Sequence, residues 1–463
     1  MLKVKLPGNL KALVLVDASY LADNIKGALE SLAVDEQYAI CGVVYTALGE
    51  NMTVPGAEPW TFPTIYPQEN EALANILERA LEVCKPQIIV DLTSSPLIDW
   101  HKRMELVSTS LFLGYPYSGV DYLLSPPDFE DVCQKPSLAI IALGKRAGKT
   151  SLAIHTARLL KSQGIKPAVI TMSRGGPSFP EICHGEWEEI TPKKLLTRVN
   201  SGRHSCADYL ENALFAQVTT VGCRRAGEGI CGTPFKSIVV DGALLANDLA
   251  VDFFIFEGSG ISIPPVKCDR TILIIPANLP PEELVSYRGR YHLLKADMVC
   301  ITHCYDVSKS ALSRLTQTVR SVKNNAAIIK IVMEPHPLGD VTGKDIFLAS
   351  NAPEKALARY KNILQSSYKC RVVASSSNLA YREPLALDIQ NALNSADQPQ
   401  VLLTELKSFA VDIATRLFLS SGLDVVYLDN QPRQMGKADR LPHKLLTIAQ
   451  SAISSFQERR RVG

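Results

Sequence analysis

The sequence lacks the features that would assign it to a membrane, to nucleic acid or to a disulfide-bonded fold. No apolar run approaches the roughly 18 residues of a membrane-spanning helix. Basic and acidic residues nearly balance, 49 against 47, so no overall field attracts nucleic acid or an acidic membrane. The 11 cysteines show no paired spacing, and no apolar signal core begins the chain. We therefore expect a cytoplasmic protein with neither nucleic acid nor membrane as partner, in which anions bind only at local sites.

What the sequence does contain is a phosphate-binding loop. A buried-strand pattern from Ile140 leads into a glycine-bounded loop, and a helical pattern follows from Thr150 to Gln163. Backbone N–H groups and the helix N-terminus bind phosphate in such loops, while Lys149 supplies an ammonium and Thr150 a Mg²⁺ ligand. Leu143 stands where the usual motif has its first glycine. The residues predicted to bind ATP or GTP are Gly144, Lys145, Arg146, Ala147, Gly148, Lys149, Thr150 and Ser151.

Two acidic residues compete for the place beside Mg²⁺. Val251–Glu257 is a strand pattern that ends in a carboxylate followed by Gly-Ser-Gly, as phosphoryl transfer requires. Ser237–Asp241 is a second apolar run that ends in an acid, although Asp241 also suits a helix or a turn. The predicted metal ligands are therefore Thr150, Glu257 and, as the competitor, Asp241.

A second anion site is predicted from glycines next to basic residues. Arg174 lies in a glycine-rich turn after a strand pattern, and Gly222–Gly232 holds adjacent arginines among four glycines. Glycine permits close backbone approach and arginine offers a planar fork of donors, which suits phosphate; an exposed loop with solvated arginines is the alternative. The predicted substrate-binding residues are Arg174, Gly175, Gly176, His204, Arg224, Arg225 and Lys267, and the predicted catalytic residues are Lys149, Arg224, Arg225 and Glu257.

Strand and helix patterns alternate along the whole chain, which predicts an α/β fold. The expected architecture is a P-loop NTPase-type, mostly parallel sheet with a smaller N-terminal α/β domain. A segment rich in proline and acid suggests the boundary, giving an N-terminal domain at 1–125, a linker at 126–137 and a catalytic domain at 138–463. The N-terminal domain is regulatory, covers the substrate or serves only as a scaffold. Asp17, Asp91 and the Glu405–Lys407 segment each follow a strand pattern, where ligand contact and plain capping both remain open.

Several of these motifs together resemble a known family. The P-loop and the Glu257–Gly260 turn are similar to those of dethiobiotin-synthetase-like enzymes. The closer resemblance is to the cyclic 2,3-diphosphoglycerate synthetase family, on five segments: Thr171–Pro177, Gly222–Arg225, Phe256–Gly260 with Pro264–Pro265, Pro337–Asp340 and Thr404–Lys407. This resemblance implies an archaeal-type cytoplasmic ligase that uses ATP, Mg²⁺ and K⁺ to close an intramolecular phosphoanhydride in a phosphorylated small molecule. We expect a homodimer.

The chain departs from that family's usual pattern at three places. Ala18 follows Asp17 where the family typically has glycine, and Ala226 and Glu228 replace a cysteine and a glycine. A carboxylate beside an anion site repels a highly charged substrate unless it faces away or binds a cation. Another P-loop ligase, acting on a carboxylate or phosphate metabolite, is therefore the alternative. A nucleotide-dependent switch is a third possibility, which the lack of an Asn-Lys-x-Asp guanine motif disfavours.

Overall fold

The computed structural model describes residues 9–34, 38–47, 58–203, 208–285, 287–436 and 440–462. The chain divides into two compact units. The first comprises residues 1–128, 280–295 and 321–323, and the second comprises the remainder. None of the described helices is long and apolar enough to cross a membrane.

Strands and helices alternate through both units, as the sequence predicts. The strands are β1 (Lys11–Val16), β2 (Ala39–Tyr45), β3 (Thr64–Ile65), β4 (Ile88–Asp91), β5 (Tyr117–Ser118), β6 (Leu123–Leu124), β7 (Ser137–Ala142), β8 (Pro167–Ser173), β9 (Glu181–His184), β10 (Thr219–Ala226), β11 (Lys236–Ser237), β12 (Phe253–Glu257), β13 (Arg270–Pro276), β14 (Met298–Thr302), β15 (Ala327–Pro337), β16 (Asp345–Ala349), β17 (Arg371–Ser376), β18 (Val401–Thr404) and β19 (Asp424–Gln434). The helices are α1 (Ala22–Val34), α2 (Leu73–Cys84), α3 (Trp100–Phe112), α4 (Lys149–Ser162), α5 (Pro192–Asn200), α6 (Asp208–Ala216), α7 (Val239–Asn247), α8 (Pro281–Val285), α9 (Tyr287–Lys295), α10 (Lys309–Val322), α11 (Glu354–Tyr368), α12 (Arg382–Leu393), α13 (Arg416–Ser420) and α14 (Leu441–Val462), with a π-helical turn at Ala410–Thr415.

The first unit is built on one sheet in the order β3-β2-β1-β4-β5-β6. Its neighbouring strands are parallel except for the β5–β6 pair. The chain leaves β1 toward β2 on one side and later returns to place β4 on the other. The boundary between β1 and β4 is therefore the switch point, where open α/β sheets form ligand crevices at the carboxyl ends of their strands.

The second unit contains a long mixed sheet in the order β11-β10-β8-β12-β7-β13-β14-β15-β19-β18-β16-β17, with β9 paired to β10. The pairs from β10 to β15 along this path are parallel, and β15 joins β19 in antiparallel register. The central strands β7, β12 and β13 are buried along nearly their whole length, as expected of strands with helices on both faces. This arrangement confirms the predicted α/β class with mostly parallel sheets.

Two local expectations differ from the structure. The apolar run that ends at Asp241 is not a strand, because most of it forms the start of α7; short apolar runs suit a strand or a buried helix equally well. Arg224 and Arg225 do not lie in a free loop but at the C-terminal end of strand β10. Successive side chains of a strand point to opposite faces, so Arg224 is exposed and Arg225 is buried.

Candidate active site

The P-loop connects β7 to α4 through a left-handed residue. Gly148 has φ +96°, and a Cβ at this position would lie 2.4 Å from Met333 Cε. Leu143 is buried and its N–H donates to the Ile274 carbonyl at 3.0 Å, which prolongs the pairing of β7 with β13. The backbone of Leu143 is not left-handed. Glycine is therefore favoured at Gly148 by its positive φ, whereas Leu143, just after β7, has a backbone conformation that does not require glycine.

Lys149 and Thr150 lie at the helix end of the loop, and both make side-chain hydrogen bonds there. Lys149 is 8% exposed, and its Nζ donates to the carbonyls of Gly144 at 3.1 Å and Gly260 at 3.0 Å. Thr150 Oγ1 donates to Glu257 Oε1 at 2.5 Å. Strand β12 pairs with β7 in parallel register, which brings the end of β12 beside the loop. The structure thus places the loop lysine, the loop threonine and the strand-end acid in one cluster.

One further residue, which the sequence analysis did not identify, forms a hydrogen bond to Glu257. Asn212, fully buried on α6, donates from Nδ2 to Glu257 Oε2 at 2.9 Å. Both carboxylate oxygens of Glu257 are therefore oriented by a neighbour. Asn212 stands mid-helix in a stretch without a motif, so only its spatial position marks it as part of the site.

The cluster suits Mg²⁺ bound jointly with nucleotide. Mg²⁺ usually binds one or two protein oxygens plus phosphates and waters, and does not require an all-protein cage. No group of three or more acidic, histidine or cysteine side chains in the described chain could hold a metal by itself. Glu257 is 1% exposed, and its burial raises its pKa to about 7, with the Asp208 carboxylate adding to the shift. Thr150 and Glu257 therefore fit the ion as a threonine hydroxyl and one carboxylate.

The arginines form a second cluster that meets the first at Gly260. Arg225 is 3% exposed, and its Nη2 donates to the Ser259 carbonyl at 2.8 Å and to Glu228 Oε2 at 2.9 Å. A Cβ on Gly260 would lie 3.2 Å from Arg225 Nη2 and 3.9 Å from Arg174 Nη2. The carbonyl of Gly260 is also the acceptor of Lys149, so the P-loop and the arginine cluster share one turn.

The two adjacent arginines of this cluster differ, because Arg224 is exposed to an added anion and Arg225 is not. The Nε of Arg225 is buried and has no hydrogen-bond partner among the described residues. Arg224 is exposed and donates from Nε to the Gly176 carbonyl at 2.6 Å. Gly176 itself allows no side chain, because a Cβ there would lie 2.3 Å from the Cys223 carbonyl oxygen. The glycine-rich turn and the end of β10 are thus packed together as one surface.

Glu228 accounts for part of the charge in this cluster. Its Oε2 accepts from Arg225 and from Ser262 Oγ at 3.0 Å, and it lies 3.8 Å from Arg174 Nη2. The carboxylate faces the arginines and does not point away. It therefore occupies positions that a substrate anion would otherwise contact.

A second lysine reaches the site from the C-terminal part of the sheet. Lys407 follows β18, and its Nζ lies 3.4 Å from Glu211 Oε1, a buried carboxylate on α6. Burial raises the pKa of Glu211 well above its usual value, and Lys407 partly opposes that shift. Glu211 Oε2 is buried without a partner in the described part of the chain. The Lys407 side chain therefore does not cap a helix or a strand end but faces the acidic residues around the P-loop.

Several predicted residues lie apart from these clusters. Lys267 is exposed and pairs with Asp131 at 3.1 Å. Asp241 is exposed on the first turn of α7. Lys145 and Arg146 do lie in the P-loop, with exposed side chains. His204 lies outside the described residues.

Family models of cyclic 2,3-diphosphoglycerate synthetase match the chain in three blocks. These are the N-terminal domain at residues 11–125, the P-loop domain at 137–332 and the C-terminal domain at 337–431. The chain belongs to the cyclic 2,3-diphosphoglycerate synthetase family. The resemblance drawn from the motifs is thereby confirmed.

Curated relatives of that name align over nearly the whole chain. The protein of Methanothermus fervidus is 34% identical over 458 residues, covering 97% of this chain and 99% of the relative. The protein of Rubrobacter xylanophilus is 36% identical over 445 residues, covering 96% and 98%. Among solved structures, LpxK from Aquifex aeolicus in complex with ATP gives a TM-score of 0.43 at 14% identity, covering 76% of this chain and 96% of that one.

The activity of the free enzyme should depend on pH through two buried groups. Burial raises the pKa of Glu257 to about 7 and lowers the pKa of Lys149 to about 8. Glu257 must be ionised to hold a cation, so the affinity of the enzyme for Mg²⁺ with ATP falls as the pH drops below the pKa of Glu257. Lys149 must be protonated to bind phosphate, so the affinity of the enzyme for ATP falls as the pH rises above the pKa of Lys149. We expect a bell-shaped kcat/KM for ATP with its maximum between these values, measured by ADP release; a profile flat from about pH 6 to 9 would contradict the assignment.

Proposed function

We propose that the protein is an ATP-dependent ligase that forms cyclic 2,3-diphosphoglycerate from 2,3-bisphosphoglycerate and releases ADP and phosphate. The observation that carries this proposal is the Gly260 turn, which is shared by the P-loop lysine and by a buried arginine with an unpaired Nε. A phosphoryl donor and a second anion can therefore meet at one place. The names of the curated relatives support the choice of substrate.

The proposed reaction needs little covalent help from the protein. The β- and γ-phosphates of ATP lie in the P-loop with Lys149 against them, and Arg224, Arg225 and Arg174 hold the substrate's phosphates and carboxylate. The γ-phosphoryl group passes to one substrate phosphate, and ADP leaves. An oxygen of the second substrate phosphate then attacks the phosphorus of the first, and inorganic phosphate leaves as the ring closes. Because both phosphates are held together, the ring closure gains effective concentration and the arginines offset the repulsion.

Mg²⁺ and K⁺ belong to the same proposal. Thr150 and Glu257 would hold Mg²⁺, which would neutralise the negative charge that develops during phosphoryl transfer. K⁺ is proposed from the family resemblance alone, and no residue is assigned to it. We further propose catalysis by residues 138–463, a linker at 126–137, a regulatory or substrate-covering role for residues 1–125, a cytoplasmic location and a homodimer.

Phosphorus NMR tests the function directly. The protein is incubated with ATP, Mg²⁺, K⁺ and 2,3-bisphosphoglycerate, and the spectrum should show a cyclic anhydride together with equal amounts of ADP and phosphate. ATP hydrolysis without loss of 2,3-bisphosphoglycerate would contradict the proposal. Glu228 favours the alternative of another P-loop ligase acting on a less charged carboxylate or phosphate metabolite, because it already neutralises Arg225. That alternative predicts an unchanged 2,3-bisphosphoglycerate signal.

We also propose that Lys407 contacts the phosphoryl group in transfer. The Lys407→Met variant should lower kcat about 10²-fold at saturating substrates, since one preorganised cation at a developing charge has an effect of this size. Loss of its pairing with Glu211 alone could impair packing, so the Lys407→Met/Glu211→Gln double variant is the control. The double variant should fold and remain slow in assays of ADP release; recovery of full activity would mean that Lys407 only balances a buried acid.

A further inference from the structure

The first unit contains a cavity that the proposed reaction does not use. It has a volume of about 430 Å³, which lies within the range of small-molecule sites. It opens at the carboxyl ends of β1 and β4, beside α1 and the turn between β5 and β6. This is the switch point of the sheet, where doubly wound folds bind ligands. Its lining includes Val16, Tyr20, Ile25, Arg103, Val120 and Tyr122.

The loop after β1 is not arranged to bind phosphate. In dinucleotide-binding sheets a glycine-rich turn there offers free N–H groups to a pyrophosphate. Here Asp17 is fully buried at the strand end, and its carboxylate accepts from Ser19 N at 2.8 Å and from Ser94 N at 2.5 Å. A carboxylate of the protein thus already occupies the donors near this strand end. A phosphorylated ligand would meet negative charge.

The remaining charges of the cavity point to the same conclusion. Among the described residues that line the cavity, the one basic side chain is Arg103, and its Nε lies 2.8 Å from Asp91 Oδ2. Asp121 adds a further, exposed carboxylate. Arg103 Nη2 donates to the Thr93 carbonyl at 2.5 Å, which fixes the guanidinium in place. The cavity therefore carries no excess of positive charge for an anion.

Tyr122 provides a polar group without a partner. Its hydroxyl is buried near the Asp91 carboxylate, but it makes no well-formed hydrogen bond to Asp91 or to any other described residue. The ring stacks on Tyr117 with centroids 6.3 Å apart and an interplanar angle of 3°, so its plane is fixed. Burial raises the pKa of Tyr122, which keeps the hydroxyl protonated as a donor. A buried unpaired donor usually marks a missing water or ligand.

We propose that this cavity binds an uncharged planar heterocycle of nucleoside size, whose acceptor atoms meet the Tyr122 hydroxyl and the fixed guanidinium of Arg103. Aromatic and aliphatic lining residues favour a flat apolar body. The carboxylates around the cavity disfavour the phosphorylated form of the same ligand. This proposal does not rest on the function proposed for the P-loop.

The test uses the full-length protein with ADP and Mg²⁺ present to fill the P-loop site. Adenosine, guanosine, cytidine and uridine are titrated by calorimetry, and each is compared with its 5′-monophosphate. At least one nucleoside should bind with a Kd below about 1 mM, and its monophosphate should bind at least about tenfold more weakly. Failure of all four nucleosides, or equal or tighter binding of the monophosphate, overturns the proposal.

Variants locate the binding. Val120 is 94% exposed at the cavity, so Val120→Trp can obstruct the opening without disturbing the core, and it should abolish binding. Tyr122→Phe removes the unpaired hydroxyl and should weaken binding about fivefold. Tyr115→Phe is the matched control, because Tyr115 lies outside the cavity lining, and it should bind as the parent does. Undiminished affinity in Val120→Trp would place the nucleoside elsewhere and overturn the proposal.

Discussion

The Glu257→Gln variant should lose about 10³-fold in kcat while it keeps its fold and its affinity for ADP without metal. The substitution preserves shape, so Thr150 Oγ1 and Asn212 can still pair with the new amide. What it removes is the only negative charge that this strand end offers to a cation. Activity should then respond weakly to Mg²⁺ concentration, as measured by ADP release over a magnesium titration.

Asp241→Asn is the matched control for this prediction. Asp241 and Glu257 both end apolar runs in the sequence, and from sequence alone either could be the acid beside Mg²⁺. In the structure Asp241 is exposed on α7, where its charge favours the helix N-terminus. Asp241→Asn should therefore keep nearly full activity and an unchanged magnesium dependence. If Asp241→Asn were the slow variant and Glu257→Gln were not, the metal assignment would have to be exchanged.

The part of the site that can be predicted from the sequence consists of motifs that lie within short contiguous segments. The P-loop and Glu257 each combine a buried strand with glycines at fixed offsets, and such local patterns report backbone geometry directly. Adjacent parallel strands then bring their carboxyl ends to one edge, which unites the two motifs. Leu143 shows that even the departure from the motif has a local setting, because this residue directly follows β7 and its N–H still pairs with the Ile274 carbonyl of β13.

The remainder depends on contacts between segments far apart in sequence. Asn212 and Glu211 become site residues only because α6, which packs against α4, brings them to the P-loop and the end of β12. Lys407 follows a strand nearly 200 positions later. Conversely, Lys267 follows a rigid turn close to the Glu257 motif, yet it pairs with Asp131. Spacing along the chain does not reveal such partners. The orientation of Glu228 toward the arginines is likewise a property of the folded loop, because the sequence alone does not show whether this carboxylate faces the arginines or points away from them.

At the end of β10, the two arginines predicted to bind substrate differ in their exposure. Neighbouring residues of a strand point to opposite faces, so Arg224 is exposed while Arg225 is buried among carbonyls. Replacing Arg225 would disturb the Ser259 and Gly227 contacts of the turn, and a loss of activity would be hard to interpret. Arg224 has only its Nε engaged, by the Gly176 carbonyl, and is the better probe of substrate binding.

We therefore expect Arg224→Ala to lower kcat/KM for 2,3-bisphosphoglycerate by about 10²- to 10³-fold, since it removes a planar donor from a dianionic phosphate at the transition state. The KM for ATP should stay within about twofold of the parent, because Arg224 is not part of the P-loop. Steady-state assays that vary each substrate separately measure both quantities.

Lys267→Ala provides the contrast for Arg224→Ala, because the sequence assigns both residues to the same clamp. Lys267 is exposed and paired with Asp131, so its removal should leave kcat/KM for 2,3-bisphosphoglycerate nearly unchanged. Arg224→Lys should recover only part of the activity, since an ammonium cannot reproduce the two parallel donors of a guanidinium. Equal losses for Arg224→Ala and Lys267→Ala would show that only general positive charge is needed. A loss of ATP affinity equal to the loss for 2,3-bisphosphoglycerate would instead place Arg224 in the nucleotide site and contradict the division between phosphoryl donor and acceptor at Gly260.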